Sequence, residues 1–162
     1  MCSSGQRSSP AKQRDCQALG AVRAINYREE DFVEAVRETT GGHGADVILD
    51  MVGGDYIERN LRAAALEGRI VQIAFLKGSK VELDLMRLMM RRLTLTGSTL
   101  RAQTPEAKAR LARAIEQRVW PLIAAGKIKA VIDSSFKLED AVGAHRRIDD
   151  PEHIGKIVLV AK

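Results

Sequence analysis

Asp46-Val47-Ile48-Leu49-Asp50 is a short apolar run without polar–apolar alternation, and it constrains the fold more than any other stretch. A strand with one wet face alternates, whereas one that does not is expected to be covered on both faces, as in a parallel sheet between helix layers. The run Arg69 to Ala74 repeats the pattern after Glu67-Gly68. Between the two runs, Gly53-Gly54 turns the chain and Asp55 to Ala65 can form a helix. Ahead of them, Val22 to Asn26 reads as a short strand. Glu29 to Thr39 reads as a helix, with Phe32, Val33 and Val36 at helical spacing and acids in its first turn. The strand–helix–strand unit therefore recurs. That recurrence argues for an α/β fold with a parallel sheet and right-handed crossovers.

The flanking segments are less regular. Residues 1–8 are small, polar and aperiodic, and are expected to form a disordered lead. A helix is expected from Ala11 to a stop at Gly20. Leu85, Leu88 and Met89 suggest a short helix. Leu93-Thr94-Leu95-Thr96 alternates strictly, the signature of an edge strand. Thr104-Pro105 is a strong helix start, a capping hydroxyl followed by proline. Leu111, Ile115, Val119 and Leu122 make one apolar stripe, kinked near Pro121 and stopped at Gly126. Strand Ala130–Ser134, helix Glu139–Arg147 and strand Lys156–Val160 complete the reading.

Composition narrows the class. With 162 residues, 45% hydrophobic and 29% charged, the chain can bury one real core. No run approaches the ~18 apolar residues of a membrane span, and Met1 to Arg7 lacks the apolar stretch of a secretory signal. Two cysteines, Cys2 and Cys16, give no disulfide framework, so a reducing, cytoplasmic setting is expected. The net charge of +5 admits anionic ligands. Arg87, Arg91, Arg92, Arg101, Lys108, Arg110 and Arg113 face only Asp84 and Glu106 within residues 84–113. Stacking aromatics are missing there, so a solvated face is expected rather than nucleic-acid binding.

A doubly wound dinucleotide domain holds pyrophosphate with G-x-G-x-x-G between a strand and a helix. No stretch matches. Gly41-Gly42-His43-Gly44 stands between a helix and a strand, the wrong polarity, and Gly53-Gly54 lacks the spacing. Asp50, which could suggest a ribose carboxylate, is read as structural. His43, His145 and His153 are not spaced as ligands of one metal, and no Ser-His-Asp arrangement is readable.

Several segments in fixed order carry a resemblance. They are Ala18-Leu19-Gly20-Ala21, Ala24-Ile25-Asn26-Tyr27, Gly44 to Gly54, Gly68 to Ile73, Thr96 to Arg101, Ala144-His145 and Gly155 to Leu159. The series resembles the zinc-free quinone oxidoreductases of the medium-chain dehydrogenase/reductase superfamily, the zeta-crystallin-like group. The resemblance implies a Rossmann-like doubly wound parallel sheet lacking its first two strands, with C-terminal strands and helices added. It places the truncated NADP-binding domain at residues 9–126, with 127–162 returning toward a substrate domain.

The resemblance also assigns roles. Ser9, Lys12 and Tyr27 would surround the adenosine 2′-phosphate, favouring NADPH over NADH. Phe75 and Leu76 would lie beside the nicotinamide, although Ala74-Phe75 stands where the family usually has glycine. Ser98, Thr99 and Leu100 would hold its carboxamide side, and Gly155-Lys156 would approach the cofactor late in the chain. A quinone or enone would take the hydride. No catalytic acid or base and no metal ligand is assigned. The family's dimers imply pairing through strand 93–97, and a non-catalytic association module is the alternative to a cofactor-binding role. In the strand order 3-2-1-4-5-6, the strands near Ile25 and Ile48 either pair directly or each leave an open edge.

Overall fold

The computed structural model describes residues 4–7, by their backbone, and residues 10–161. The chain divides into two units between Ala102 and Gln103, earlier than the boundary near residue 126 expected from the sequence. The first unit opens with β1 (Ser4–Arg7), α1 (Pro10–Ala18) and β2 (Arg23–Asn26). β1 and β2 run parallel, Ser4 beside Arg23 and Arg7 beside Asn26. Residues 4–7 thus correct the expectation of a disordered lead. Ser-Gly-Gln-Arg has weak strand propensity, but ladder pairing satisfies backbone groups whatever the side chains are.

The chain continues through α2 (Phe32–Thr39), β3 (Ala45–Asp50), α3 (Tyr56–Ala63), β4 (Ala64–Gln72), α4 (Met86–Met90) and β5 (Thr94–Gly97). The sheet order is β3-β4-β5, all parallel, with Ile48 beside Ile70 and Ile70 beside Leu95. Asp31 caps α2, its carboxylate accepting from the Val33 amide at 3.0 Å and from Arg59 at 2.9 Å. Those two donors, the amide first, hold the Asp31 carboxyl below the usual carboxylate range. Arg59 also lies 4.4 Å from the centre of Phe32, which stacks on Tyr56 at 5.5 Å, so one guanidinium ties α2 to α3.

Two apolar clusters fill this unit. The first joins Ile25 of β2 to Phe32, Val33, Val36 and Tyr56, with Ile48 of β3 packed against it. The second joins Leu61, Ala64, Ile70 and Leu93. Both lie on one side of the sheet. On β3, Val47 and Leu49 are 66% and 65% exposed, which corrects the expectation of a strand covered on both faces. The reason is positional: α2 and α3 supply apolar side chains to the Ile48 face alone. β2 and β3 belong to separate sheets, so among the described residues the open-edge alternative holds.

The approach of β3 to β4 depends on Gly44. Its φ is +94°, and an added Cβ would meet Ala63 O at 2.8 Å and Ala65 N at 2.8 Å. Left-handed backbone and backbone overlap add, so Gly44→Ala is expected to cost about 2–4 kcal/mol of stability, read as a lowered urea midpoint. Beyond it, Glu67 at φ 61° opens a bulge in β4, and the register moves from Ala45–Ala64 to Val47–Arg69.

In the second unit, α5 (Pro105–Arg118) starts on Thr104, whose hydroxyl accepts from the Ala107 amide at 3.2 Å. The helix breaks at Val119, and α6 (Trp120–Ala124) follows. β6 (Ile132–Lys137), α7 (Ala141–Asp149) and β7 (Lys156–Val160) complete the chain, β6 and β7 pairing in parallel.

Candidate cofactor-binding site

Parallel strands gather their carboxyl ends on one edge, where open α/β sheets bind ligands. Lys12 lies in the first turn of α1, the helix that follows β1, and Tyr27 directly follows β2. Because Arg7 pairs with Asn26, both residues belong to the carboxyl edge of β1-β2. Tyr27 is exposed. The strand end beneath it is fixed: Glu30 accepts from the Asn26 amide at 3.2 Å and from Arg23 at 2.6 Å. Ser9 lies outside the described residues. Arg28 was not singled out from the sequence. It is exposed, and its amide donates to Asn26 Oδ1 at 3.2 Å, so a second cation stands beside Tyr27. A basic residue directly after Asn-Tyr was the available signal.

Phe75 and Leu76 follow β4, and Ser98, Thr99 and Leu100 follow β5, all exposed. The Phe75 loop is stitched to the turn after β3. The Ile73 amide donates to Asp50 O at 2.8 Å, Leu76 N to Met51 O at 3.2 Å and Lys77 N to Val52 O at 2.8 Å. Gly53 permits this closeness, since an added Cβ would lie 2.8 Å from the Phe75 ring and 2.7 Å from Gly78 O. Asp50 is buried and structural, accepting from the Val52 amide at 2.6 Å and from Asn60 Nδ2 at 2.9 Å. Ser98 N donates to Gln72 O at 3.0 Å and keeps the segment after β5 beside the Phe75 loop.

Gly155 and Lys156 belong to the second unit, where Gly155 directly precedes β7 and Lys156 begins it. Gly155 has φ +105°, and an added Cβ would lie 2.5 Å from Val131 O. The turn before it is held by Asp133, which accepts from both Arg147 Nε and Nη2 at 2.7 Å and from the Ile154 amide at 2.9 Å. The Arg147 fork, and next the Ile154 amide, push the Asp133 carboxyl well below its ordinary range. A depressed carboxyl contributes stability above its unfolded pKa, which is lost as pH falls toward the folded value. Wild-type stability should therefore drop between about pH 4 and the acid limit. Asp133→Asn should be less stable near neutrality and show a flatter acid limb in thermal melts.

The donor set fits two ends of a phosphorylated dinucleotide. A lysine cation with a phenol hydroxyl suits a phosphomonoester, and the exposed Phe75-Leu76 pair suits a flat, weakly polar ring. Between them the chain offers no G-x-G-x-x-G for pyrophosphate. Among the described residues no group of three or more His, Cys, Asp or Glu could hold a metal ion. No helix there is long and apolar enough to cross a membrane.

Known proteins share sequence and fold with this chain. A family model described as zinc-binding dehydrogenase matches residues 19–159. Quinone oxidoreductase 1 of Escherichia coli is 32% identical over 165 residues, covering 96% of this chain and 48% of that protein. A crystal structure of Escherichia coli quinone oxidoreductase complexed with NADPH superimposes with a TM-score of 0.79 at 31% identity, over 98% of this chain and 49% of that one. An NAD-dependent alcohol dehydrogenase superimposes with a TM-score of 0.78 at 31% identity, over 98% of this chain and 43% of that one. The chain spans 40% of the length of a quinone oxidoreductase-like protein 2 homolog of Nematostella vectensis and 48% of that of the Escherichia coli protein. The match across residues 19–159 and the shared parallel α/β architecture establish that the chain belongs to the zinc-binding dehydrogenase family, within the medium-chain dehydrogenase/reductase superfamily.

Proposed function

We propose that the chain is the cofactor-binding part of a zinc-free, cytoplasmic NADPH-dependent oxidoreductase acting on a quinone or enone. One observation carries the reading: Lys12, Tyr27, Phe75, Leu76 and Ser98 to Leu100 all follow the carboxyl ends of parallel strands of one unit. When bound, the nicotinamide supplies the hydride. The chain's own groups position it and exclude water from one side. Ser9, Lys12 and Tyr27 select the 2′-phosphate. The likeness to a structure complexed with NADPH supports the cofactor class. The preference over NADH rests on the Lys12–Tyr27 pair.

A thermal melt with millimolar NADPH or NADH tests this. NADPH should raise Tm by about 3–8 °C, and NADH by less. Equal shifts would remove the 2′-phosphate assignment, and no shift with either would remove the cofactor role. A second reading is favoured by β5, which among the described residues pairs only with β4 and has every residue exposed. That free edge, residues 93–97, would pair with its mate in a homodimer. A dimer with no response to either nucleotide would leave association as the function.

A further inference from the structure

We propose that Gln72 is a positioning residue for the nicotinamide end of the cofactor site, fixing how the Phe75 loop leaves β4 beside the segment after β5. The inference rests on the cofactor-binding reading and deepens it. Gln72 is the last residue of β4, in register with Asp50 of β3 and Gly97 of β5. Its carbonyl accepts from the Ser98 amide at 3.0 Å, and its side-chain nitrogen donates to Ala74 O at 2.5 Å. One residue therefore ties both arms. Because the Ala74 carbonyl and the Phe75 amide share one rigid peptide plane, holding that oxygen sets the direction in which Phe75 departs. Leu76 and Lys77 then continue the loop, their amides donating to Met51 O and Val52 O.

Packing stability does not account for a glutamine here. Ile70, two residues earlier on the same face of β4, is fully buried, and Gln72 is only 7% exposed. A core position of that kind favours an apolar side chain. The orientation of the amide is forced, since reversing it would set Oε1 against Ala74 O, acceptor to acceptor. Oε1 is thus turned away, and it is buried with no hydrogen-bond partner among the described residues. The donors around neighbouring Asp50, namely Asn60 Nδ2 and the Val52 amide, are engaged by its carboxylate. A buried acceptor without a donor lowers stability by more than a typical neutral hydrogen bond restores. Gln72 therefore holds the loop while weakening the core, a departure from core chemistry of the sort found at functional sites.

The test is Gln72→Met in the full chain, a substitution that keeps length and removes both the donor and the unpartnered oxygen. The urea midpoint should stay the same or rise by up to about 1 M. The Leu76 and Lys77 amides should exchange about tenfold faster, because the loop loses its anchor. Affinity for NADPH should fall about 5- to 10-fold, while that for adenosine 2′,5′-bisphosphate, which has no nicotinamide, stays within about twofold. A purely structural residue would not separate these readouts. A variant that fails to fold, or whose midpoint drops by more than about 0.5 M, overturns the proposal by making Gln72 part of the core. Unchanged exchange at Leu76 and Lys77 overturns it too, as does faster exchange with NADPH affinity intact. Faster exchange at an undiminished midpoint, in a chain whose wild type does not bind millimolar NADPH, would uphold the anchor and instead overturn the cofactor reading.

Discussion

Leu61→Ala is expected to remove about 3–4 kcal/mol from the stability of the first unit, lowering the urea midpoint by roughly 2 M. Leu61 is fully buried, at 0% exposure, among Ala64, Ile70 and Leu93, where α3 meets β4 and the start of β5. Truncation there loses both transfer free energy and packing, because β4 is paired on both sides and cannot collapse into the void. A domain is stable by only about 5–15 kcal/mol, so the loss is a large share of the whole. Leu49→Ala is the control. The same chemical change at 65% exposure should cost less than about 0.5 kcal/mol. Equal losses at the two positions would mean that the Val47–Leu49 face of β3 is covered in solution.

The second large effect is on binding. Lys12→Ala should weaken the affinity for adenosine 2′,5′-bisphosphate by about 10- to 100-fold, the worth of one charge-assisted hydrogen bond. Affinity for 5′-AMP, which lacks the 2′-phosphate, should stay within about twofold. Lys12→Arg should recover most of the loss, since it restores the charge in the first turn of α1. Equal weakening of both ligands would make Lys12 a structural residue of α1 and no reader of the phosphate.

Much of the fold was legible because local chemistry determined it. Thr104-Pro105 starts α5 where a capping hydroxyl and a proline predict. The alternation at Leu93–Thr96 does mark an edge strand, and Lys156–Val160 is β7 residue for residue. What was not legible depends on partners. Nothing in Ser4-Gly5-Gln6-Arg7 announces a strand, since β2 provides the reason for it. The run Val47-Ile48-Leu49 reads as doubly buried, yet two of its side chains are exposed, because burial also requires something to lie against them. The α5 stripe behaves alike, with Leu111 and Ile115 both exposed.

The site divides in the same way. Composition and spacing alone named none of its residues. The resemblance named Lys12, Tyr27, Phe75, Leu76 and Ser98 to Leu100, and the topology then set each beyond a strand's carboxyl end. Gly155 and Lys156 stand apart, at the start of a strand in the second unit, so sheet polarity gives them no such support.

The most direct measurement of the central claim is a nuclear magnetic resonance titration of the uniformly ¹⁵N-labelled chain with NADPH. Amide shifts should change around Lys12, Tyr27 and Arg28, in the Phe75–Lys77 loop and from Ser98 to Leu100, with α2 and the buried α3–β4 contact unmoved. Perturbations confined to the arginines of residues 84–113, or none at saturating NADPH, would contradict a cofactor site at the carboxyl edge of these strands.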